Sequence, residues 1–364
     1  MNTNNPKIAL AHDYLIKNGG AEKVLISLHQ LFPSAPVFTL LYDEKSTHGV
    51  YKDWDIRTSY LQKRPAIQKL INYYRAEMPR AVESFDLSEF DVVISDSSSF
   101  IKGVITQPNT KHICYMHTPT RFLWFDIKSH IERGRFAGAL KGLVPLMLHR
   151  LRRWDVIASS RPDVIIANSK TTQDRITKFY HKPSTVINPP VDVDRFDIKK
   201  RDTKDAFVIV SRLEPHKDVD LAIKAANLSQ TKLVIIGDGN DSERLQELAG
   251  PTVKFLGRVS DQVRDDWLYQ AKAFLAPQTE DFGITMVEAL AAGCPVIARN
   301  AGGAAEIVTP HTGILIDSLD AENLADQLKT FDSSKFKPED CHLRAMQFSE
   351  DKFKEKILAL VSHN

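Results

Sequence analysis

Residues 205–240 read DAFVIVSRLEPHKDVDLAIKAANLSQTKLVIIGDGN. A short apolar, β-branched run (AFVIVS) leads into a helical stretch (DVDLAIKAANLS) and then a second such run (KLVIIG), each bounded by turn residues. Buried parallel strands joined by crossover helices leave this signature, because both faces of such a sheet are covered. Downstream the alternation continues through VKFLGRV, AFLAPQ, CPVIARN and TGILID. Upstream it is already present in KIALAHDYL, PVFTLLY, DVVISD, KHICYMH and DVIIAN. The pattern therefore runs twice, which predicts an α/β protein with two doubly wound sheets.

The length agrees: 364 residues exceed the roughly 250–300 at which a single core stops growing. The boundary is expected at TVINPPVDVDRF, where Pro189 and Pro190 end one pattern and a polar, charged segment precedes the next strand. That gives a first domain over 1–188 and a second over 189–348. A terminal helix over about 349–364, capped by Ser349, is expected to pack back on the first.

With 43% hydrophobic and 26% charged residues, the composition excludes disordered and fibrous classes. No apolar run reaches the roughly 18–20 residues of a membrane span, and the opening MNTNNPKIAL lacks the basic-then-apolar pattern of a signal peptide, so a cytoplasmic protein is expected. Cys114, Cys294 and Cys341 form no CxxC pair and are odd in number, which suits a reducing compartment and buried thiols. The net charge of +2 divides into +8 over residues 1–195 and −6 over 196–364. The first half is therefore expected to meet something anionic, either phosphates or a membrane surface.

The segment TEDFGITMVEALAAGCPVI carries Glu280 and Glu288 around a glycine and a helix start. If the helix begins near Ile284, the amides of Phe282, Gly283, Ile284 and Thr285 form an anion site with a carboxylate on either side. An isolated Glu at such a place can also be a simple cap. Arg212 and Lys217, in SRLEPHKD, put two cations at the carboxyl edge of the second sheet, where doubly wound folds bind ligands. A solvated charged loop is the other reading. Gly19 and Gly20 follow the first strand, and GDGN, with Gly237 and Asp238, occupies the equivalent turn of the second half. Glycine allows the backbone to approach a ligand, or makes only a tight turn. His117 ends the strand-like KHICYMH, as a site residue or as a structural histidine.

These segments together resemble the retaining glycosyltransferases of family 4, whose two-Rossmann architecture is called GT-B. TEDFGITMVE resembles the family's Glu-x7-Glu signature, SRLEPHKD its Arg-x4-Lys phosphate clamp, GGAEKV its glycine loop and YMHTPTRFLW its active-site histidine segment. They occur in the family's order over most of the chain. The resemblance implies that Glu280 binds hydroxyls of the donor hexose and Glu288 the nucleotide ribose, and that Arg212 and Lys217 neutralise the diphosphate. His117 would contact the hexose from the first domain, across an interdomain cleft. Gly257, Arg258 and Val259 resemble the segment that meets the nucleobase. No protein nucleophile is implied, since retaining members are thought to react on one face of the donor with the leaving phosphate taking the acceptor proton.

HDYL, GGAEKV and HTPTRFLW look most like bacterial mannosyltransferases of surface-polysaccharide assembly, which implies GDP-mannose as donor, with UDP-hexoses as the alternative. The implied acceptor is a glycan carried on a polyprenyl diphosphate. A GT-B epimerase or phosphorylase and a catalytically silent membrane-associated subunit are the rival readings. Asp192-Val193-Asp194 is a literal DxD but lies in the expected linker, and with cations and a helix terminus at the diphosphate no metal or other cofactor is expected. Two basic stretches, 57–80 and 121–154, are read either as amphipathic helices resting on the anionic inner face of the cell membrane or as solvated helix faces. No nucleic-acid-binding motif accompanies them.

Overall fold

A computed structural model describes residues 6–125, 142, 144–318 and 320–362 of the chain. The chain divides into two compact units: Met1–Asn188 with Lys354–Asn364, and Pro189–Phe353.

The first unit is built on seven parallel strands: β1 (Ile8–Leu15), β2 (Val37–Tyr42), β3 (Ile56–Thr58), β4 (Val92–Ser97), β5 (Lys111–Met116), β6 (Val164–Ala167) and β7 (Thr185–Val186). Their order is β3-β2-β1-β4-β5-β6-β7. The chain winds outward one way from β1 and the other way from β4, so the switch point lies between these two, with His12 and Asp96 as register partners across it. The terminal helix Glu350–Ser362 contributes to this unit through Lys354 Nζ, 2.8 Å from Gln30 Oε1, and Leu360 O, 2.9 Å from Lys111 Nζ.

The second unit has six parallel strands: β8 (Phe207–Val210), β9 (Leu233–Ile236), β10 (Val253–Gly257), β11 (Phe274–Ala276), β12 (Val296–Arg299) and β13 (Gly313–Ile316). The order is β10-β9-β8-β11-β12-β13, with the switch point between β8 and β11. The helices Val219–Ser229 and Ser242–Leu248 follow β8 and β9. The segment after Pro190 is not a free connection. Val191, Val193 and Phe196 are buried, and Val191 exchanges backbone bonds with Phe348 and Glu350, while Asp192 and Asp194 face solvent. The three cysteines are buried and unpaired.

The stretch 57–80 departs from a single amphipathic helix. It leaves β3, makes a 3-10 turn at Tyr60–Lys63, takes a left-handed conformation at Ala66, and is then broken into Ile71–Tyr74, Arg75–Glu77 and the start of Met78–Glu83. Pro65 is the physical reason, since it bars helical backbone at Arg64, which is extended at ψ 141°. Of the second basic stretch, residues 126–141 and 143 lie outside the described residues; its far end forms the helix Val144–Ala158. No helix among the described residues is long and apolar enough to cross a membrane.

Candidate active site

In the second unit the loops after β8, β9 and β11, the end of β10 and the helix after β11 carry the residues singled out from sequence. Pro215 opens a 3-10 turn at Pro215–Lys217, and Asp218, left-handed at φ 50°, closes it. This turn sets Lys217 Nζ 2.5 Å from Glu280 Oε1, with the two side chains only 13% and 23% exposed. Arg212 is exposed, and its guanidinium enters no hydrogen bond or ion pair among the described residues. The structure thus joins Lys217 to Glu280 and leaves Arg212 to solvent.

Glu280 lies in the loop after β11, outside the helix Ile284–Ala291 that carries Glu288. That helix starts at Gly283, whose φ of 107° suits glycine, with no side chain capping its first amides. Ile284 and Thr285, half-buried, offer those amides, while Phe282 is buried against Phe348. Two further glycines fix the loop. A β-carbon at Gly302 would stand 2.2 Å from Glu280 O, and one at Gly303 would stand 1.9 Å from Phe282 O. Gly303 N donates to Glu280 O at 2.9 Å, so the Ala301-Gly302-Gly303 turn is laid directly on the backbone of Glu280–Phe282.

Gln278 Nε2 donates to Glu280 Oε1 at 3.0 Å. Because a carboxylate only accepts, this bond fixes which way the amide faces, and Gln278 Oε1 is left buried without a hydrogen-bond partner. Glu288 is 2% exposed and 3.2 Å from Arg195 Nη2, and Arg195 Nε also lies 3.3 Å from Asp265 Oδ2. Burial raises the Asp265 carboxyl above its ordinary range, against the pull of Arg264 and Arg195.

Gly237 and Gly239 have a packing reason. β-Carbons there would meet Ser211 O at 1.9 Å and Leu213 O at 2.2 Å, because the loop after β9 rests on the loop after β8. Asp238 is exposed; bonds from Ser242 Oγ and Gly239 N hold its carboxyl below the ordinary range. Gly257, left-handed at φ 65°, accepts from Gly237 N, while Arg258 is exposed and Val259 half-buried.

In the first unit His117 directly follows β5, and its Nε2 is 2.6 Å from Oδ1 of the buried Asp96. Gly19 precedes the helix Gly20–Leu31; a β-carbon there would stand 3.0 Å from Glu22 Oε2. Gly20 is exposed. Asp13, at the end of β1, accepts the backbone amides of Ser98, Ser99, Phe100 and Ile101 at 2.7–2.9 Å, which shapes the loop after β4. The segment after His117 is tied down by Asp155, which accepts from Lys102 Nζ at 2.6 Å, Thr120 Oγ1 and Trp124 Nε1 at 2.7 Å, and Tyr180 OH at 2.6 Å. Lys102 and Asp155 are both 1% exposed, so this charge pair carries the satisfied bonds that burial demands.

His12, Asp13, Glu22, Asp96, Arg195, Gln278, Gly302 and Gly303 escaped sequence reasoning. The Gly-Gly of 302–303 offered a signal, since paired glycines after an apolar run suggest close backbone approach. The others sit in strands, in connections or, for Glu22, in the first turn of a helix, where a polar residue has no local pattern to mark it.

Residues 18–195 match the family model described as Glycosyltransferase Family 4, and residues 191–347 that described as Glycosyl transferases group 1. A GDP-mannose-dependent monoacylated alpha-(1-6)-phosphatidylinositol monomannoside mannosyltransferase of Corynebacterium glutamicum is 35% identical over 174 residues, 41% of this chain and 46% of the relative. A GDP-mannose-dependent alpha-(1-6)-phosphatidylinositol monomannoside mannosyltransferase of Mycobacterium tuberculosis is 29% identical over 249 residues, 56% of this chain and 64% of the relative. The chain thus spans about half the length of these curated relatives. Among solved structures, Anabaena HepE in complex with UDP and glucose superposes with a TM-score of 0.70 at 20% identity, covering 99% of this chain and 100% of the other. Sucrose-phosphate synthase of Thermosynechococcus elongatus does so at 0.71 and 15% identity, covering 97% and 98%. These likenesses show the fold, the two-Rossmann architecture GT-B. The two family models meet across 18–347, and the chain belongs to the family 4 glycosyltransferases.

Proposed function

We propose that the protein transfers mannose from GDP-mannose, with retention of configuration, to a glycan carried on a lipid diphosphate. The observation that carries this is the Lys217–Glu280 pair beside the uncapped start of the helix Ile284–Ala291. A diphosphate has a use for each part: Lys217 and Arg212 supply positive charge, and the helix amides receive its oxygens. With Lys217 drawn to phosphate, the Glu280 carboxylate becomes available to accept hexose hydroxyls, and a further hydroxyl would satisfy the buried Oε1 of Gln278. Glu288, held by Arg195, is assigned to the ribose, and the leaving phosphate to removal of the acceptor proton.

The names of the curated relatives support GDP-mannose and a lipid-borne acceptor. The positive charge at the diphosphate supports a reaction without a metal. We assign the acceptor to the first unit and place the protein at the inner leaflet. Supporting this, the helix Val144–Ala158 exposes Leu146, Arg150, Arg153, Val156 and Ile157, a basic and apolar surface.

Thermal denaturation with GDP-, UDP-, ADP- and dTDP-sugars at equal concentration tests the donor, because a ligand bound by the native state alone raises its midpoint. GDP-mannose is expected to raise it most and to give up labelled mannose in the presence of EDTA. Stabilisation by a UDP-hexose and not by GDP-mannose would overturn the donor assignment. Loss of transfer on chelation with recovery on Mg²⁺ would overturn the metal-free mechanism.

A further inference from the structure

The pairing of β1 with β4 sets His12 opposite Asp96, and β5, the next strand, leads directly to His117. Asp96 uses both carboxylate oxygens: Oδ1 lies 2.6 Å from His117 Nε2, and Oδ2 lies 2.9 Å from His12 Nδ1. The other nitrogen of His12, Nε2, is 3.8 Å from Oε1 of Glu22, in the first turn after the glycine pair. Asp96, His12 and Glu22 are 0%, 2% and 3% exposed, whereas the His117 side chain is 14% exposed. A β-carbon at Gly19 would stand 3.0 Å from Glu22 Oε2, so this carboxylate lies against the glycine loop. One buried chain of contacts therefore runs from the glycine loop through Glu22, His12 and Asp96 to His117.

Its chemistry follows from what each group can donate. Burial by itself would raise the Asp96 carboxyl, but the charge and hydrogen bonds of His117 and His12 outweigh this and hold it low. An ionised carboxylate only accepts, so each imidazole nitrogen that faces it carries a hydrogen. For His117 that nitrogen is Nε2, so whenever the ring is neutral its lone pair is on Nδ1. His12 stands between two buried carboxylates and is their counter-charge, without which their burial would be costly. The other titratable groups acting on this chain are Lys17 and Tyr51 on Glu22, and Tyr51, Tyr115 and Cys114 beside Asp96. Burial pushes the two tyrosines and the thiol upward, so they stay neutral near pH 7.

We infer that His12 and Asp96 are positioning residues for His117: they hold its ring with the hydrogen on Nε2 and leave Nδ1 as an acceptor for a sugar hydroxyl. An acceptor nitrogen suits a hydroxyl, as a cationic ring would suit a phosphate. The identity of that ligand rests on the glycosyl-transfer reading; the state of the ring does not.

The test reads the ring directly. In the full chain labelled with ¹⁵N-histidine, ring ¹⁵N–¹H correlations near neutral pH, with His117→Gln supplying the assignment, are expected to show His117 protonated at Nε2 and bare at Nδ1. Asp96→Asn and His12→Leu are expected to mix the two tautomers and to lower hexose turnover by on the order of 10²-fold, the scale on which a misplaced substrate-contacting group is felt. His12→Asn, whose amide can replace Nδ1–H toward Asp96, is expected to keep the tautomer and most of the turnover. A wild-type His117 protonated at Nδ1, or an Asp96→Asn protein that keeps both tautomer and turnover, would overturn the inference. Should Asp96→Asn not fold, the wild-type spectrum and the His12 pair still decide. Should the wild type transfer no hexose, the spectra still decide the ring, and the functional reading falls by itself.

Discussion

Lys217 Nζ stands 2.5 Å from Glu280 Oε1, a cation from the loop after β8 held against an anion from the loop after β11. The pair is partly exposed, so it contributes only about 0–1 kcal/mol to folding. Its placement beside a helix start is more consequential, because both members are then at hand for a ligand carrying phosphates and hydroxyls together.

Lys217→Ala is accordingly expected to lower turnover by about 10²–10³-fold, the scale of removing one donor that meets developing charge, while the melting temperature shifts little. Steady-state transfer beside a thermal melt checks this. Full activity would place Lys217 in a solvated loop.

Glu288→Gln keeps the size of a buried side chain and one acceptor for Arg195. A hydrogen bond to a charged partner contributes about 1.5–3 kcal/mol, so the donor Kd is expected to rise at least about tenfold. Calorimetric titration with GDP-mannose measures it, and an unchanged Kd removes Glu288 from the ribose.

Gly303→Ala would place a methyl 1.9 Å from Phe282 O, and backbone rather than a flexible side chain must yield. Since a displacement of about 1 Å at a site can cost on the order of 10²-fold, turnover is expected to fall by that much with the fold intact by circular dichroism. An alanine variant with normal kcat would show that the turn can retreat without moving Glu280.

Stability should fall on the alkaline side. His12 is pushed up from 6.5 to about 10, where burial opposes the change but Asp96 and Glu22 prevail. A group whose folded value is raised contributes fully below its unfolded value and loses that contribution as pH climbs through the folded one. The urea midpoint is therefore expected to decline between pH 6.5 and about 10, and His12→Asn to flatten that decline. Equal slopes in both proteins would show that His12 is not charged in the native state.

Vesicles containing anionic lipid are expected to co-sediment with the protein at low salt and to release it as salt rises. Each basic side chain near such a surface contributes about 1 kcal/mol, so Arg150→Gln with Arg153→Gln should cut binding and leave donor affinity intact. Arg152 is better spared, because its Nε donates to Leu123 O at 2.7 Å. No sedimentation at low salt would leave those arginines as a solvated face.

The strands with continuous apolar runs, such as DVVISD and KLVIIGDG, were legible because burial on both faces writes itself into every residue. The helix start at Ile284 was legible from Gly283. β3 and β7 were missed because three and two residues are too few to show any period. His12, Asp96 and His117 become neighbours only through the order β1-β4-β5, which no local pattern encodes. Arg195, read as part of a linker, reaches Glu288 across 93 positions because Val193 and Phe196 anchor its backbone in the core.

The second unit is an insertion in the first, since the chain leaves at Asn188 and returns at Lys354. A ribosome adds roughly 5–20 residues per second, so Ile357, which is buried, and the bonds from Lys354 and to Leu360 arrive on the order of ten to thirty seconds after β7 is made. Throughout that interval the older unit lacks these contacts, whereas the younger one can close through Val191 and Ser349 almost as soon as it emerges. Birth order and completion order are thus reversed, and the nascent first unit is where a chaperone would find work.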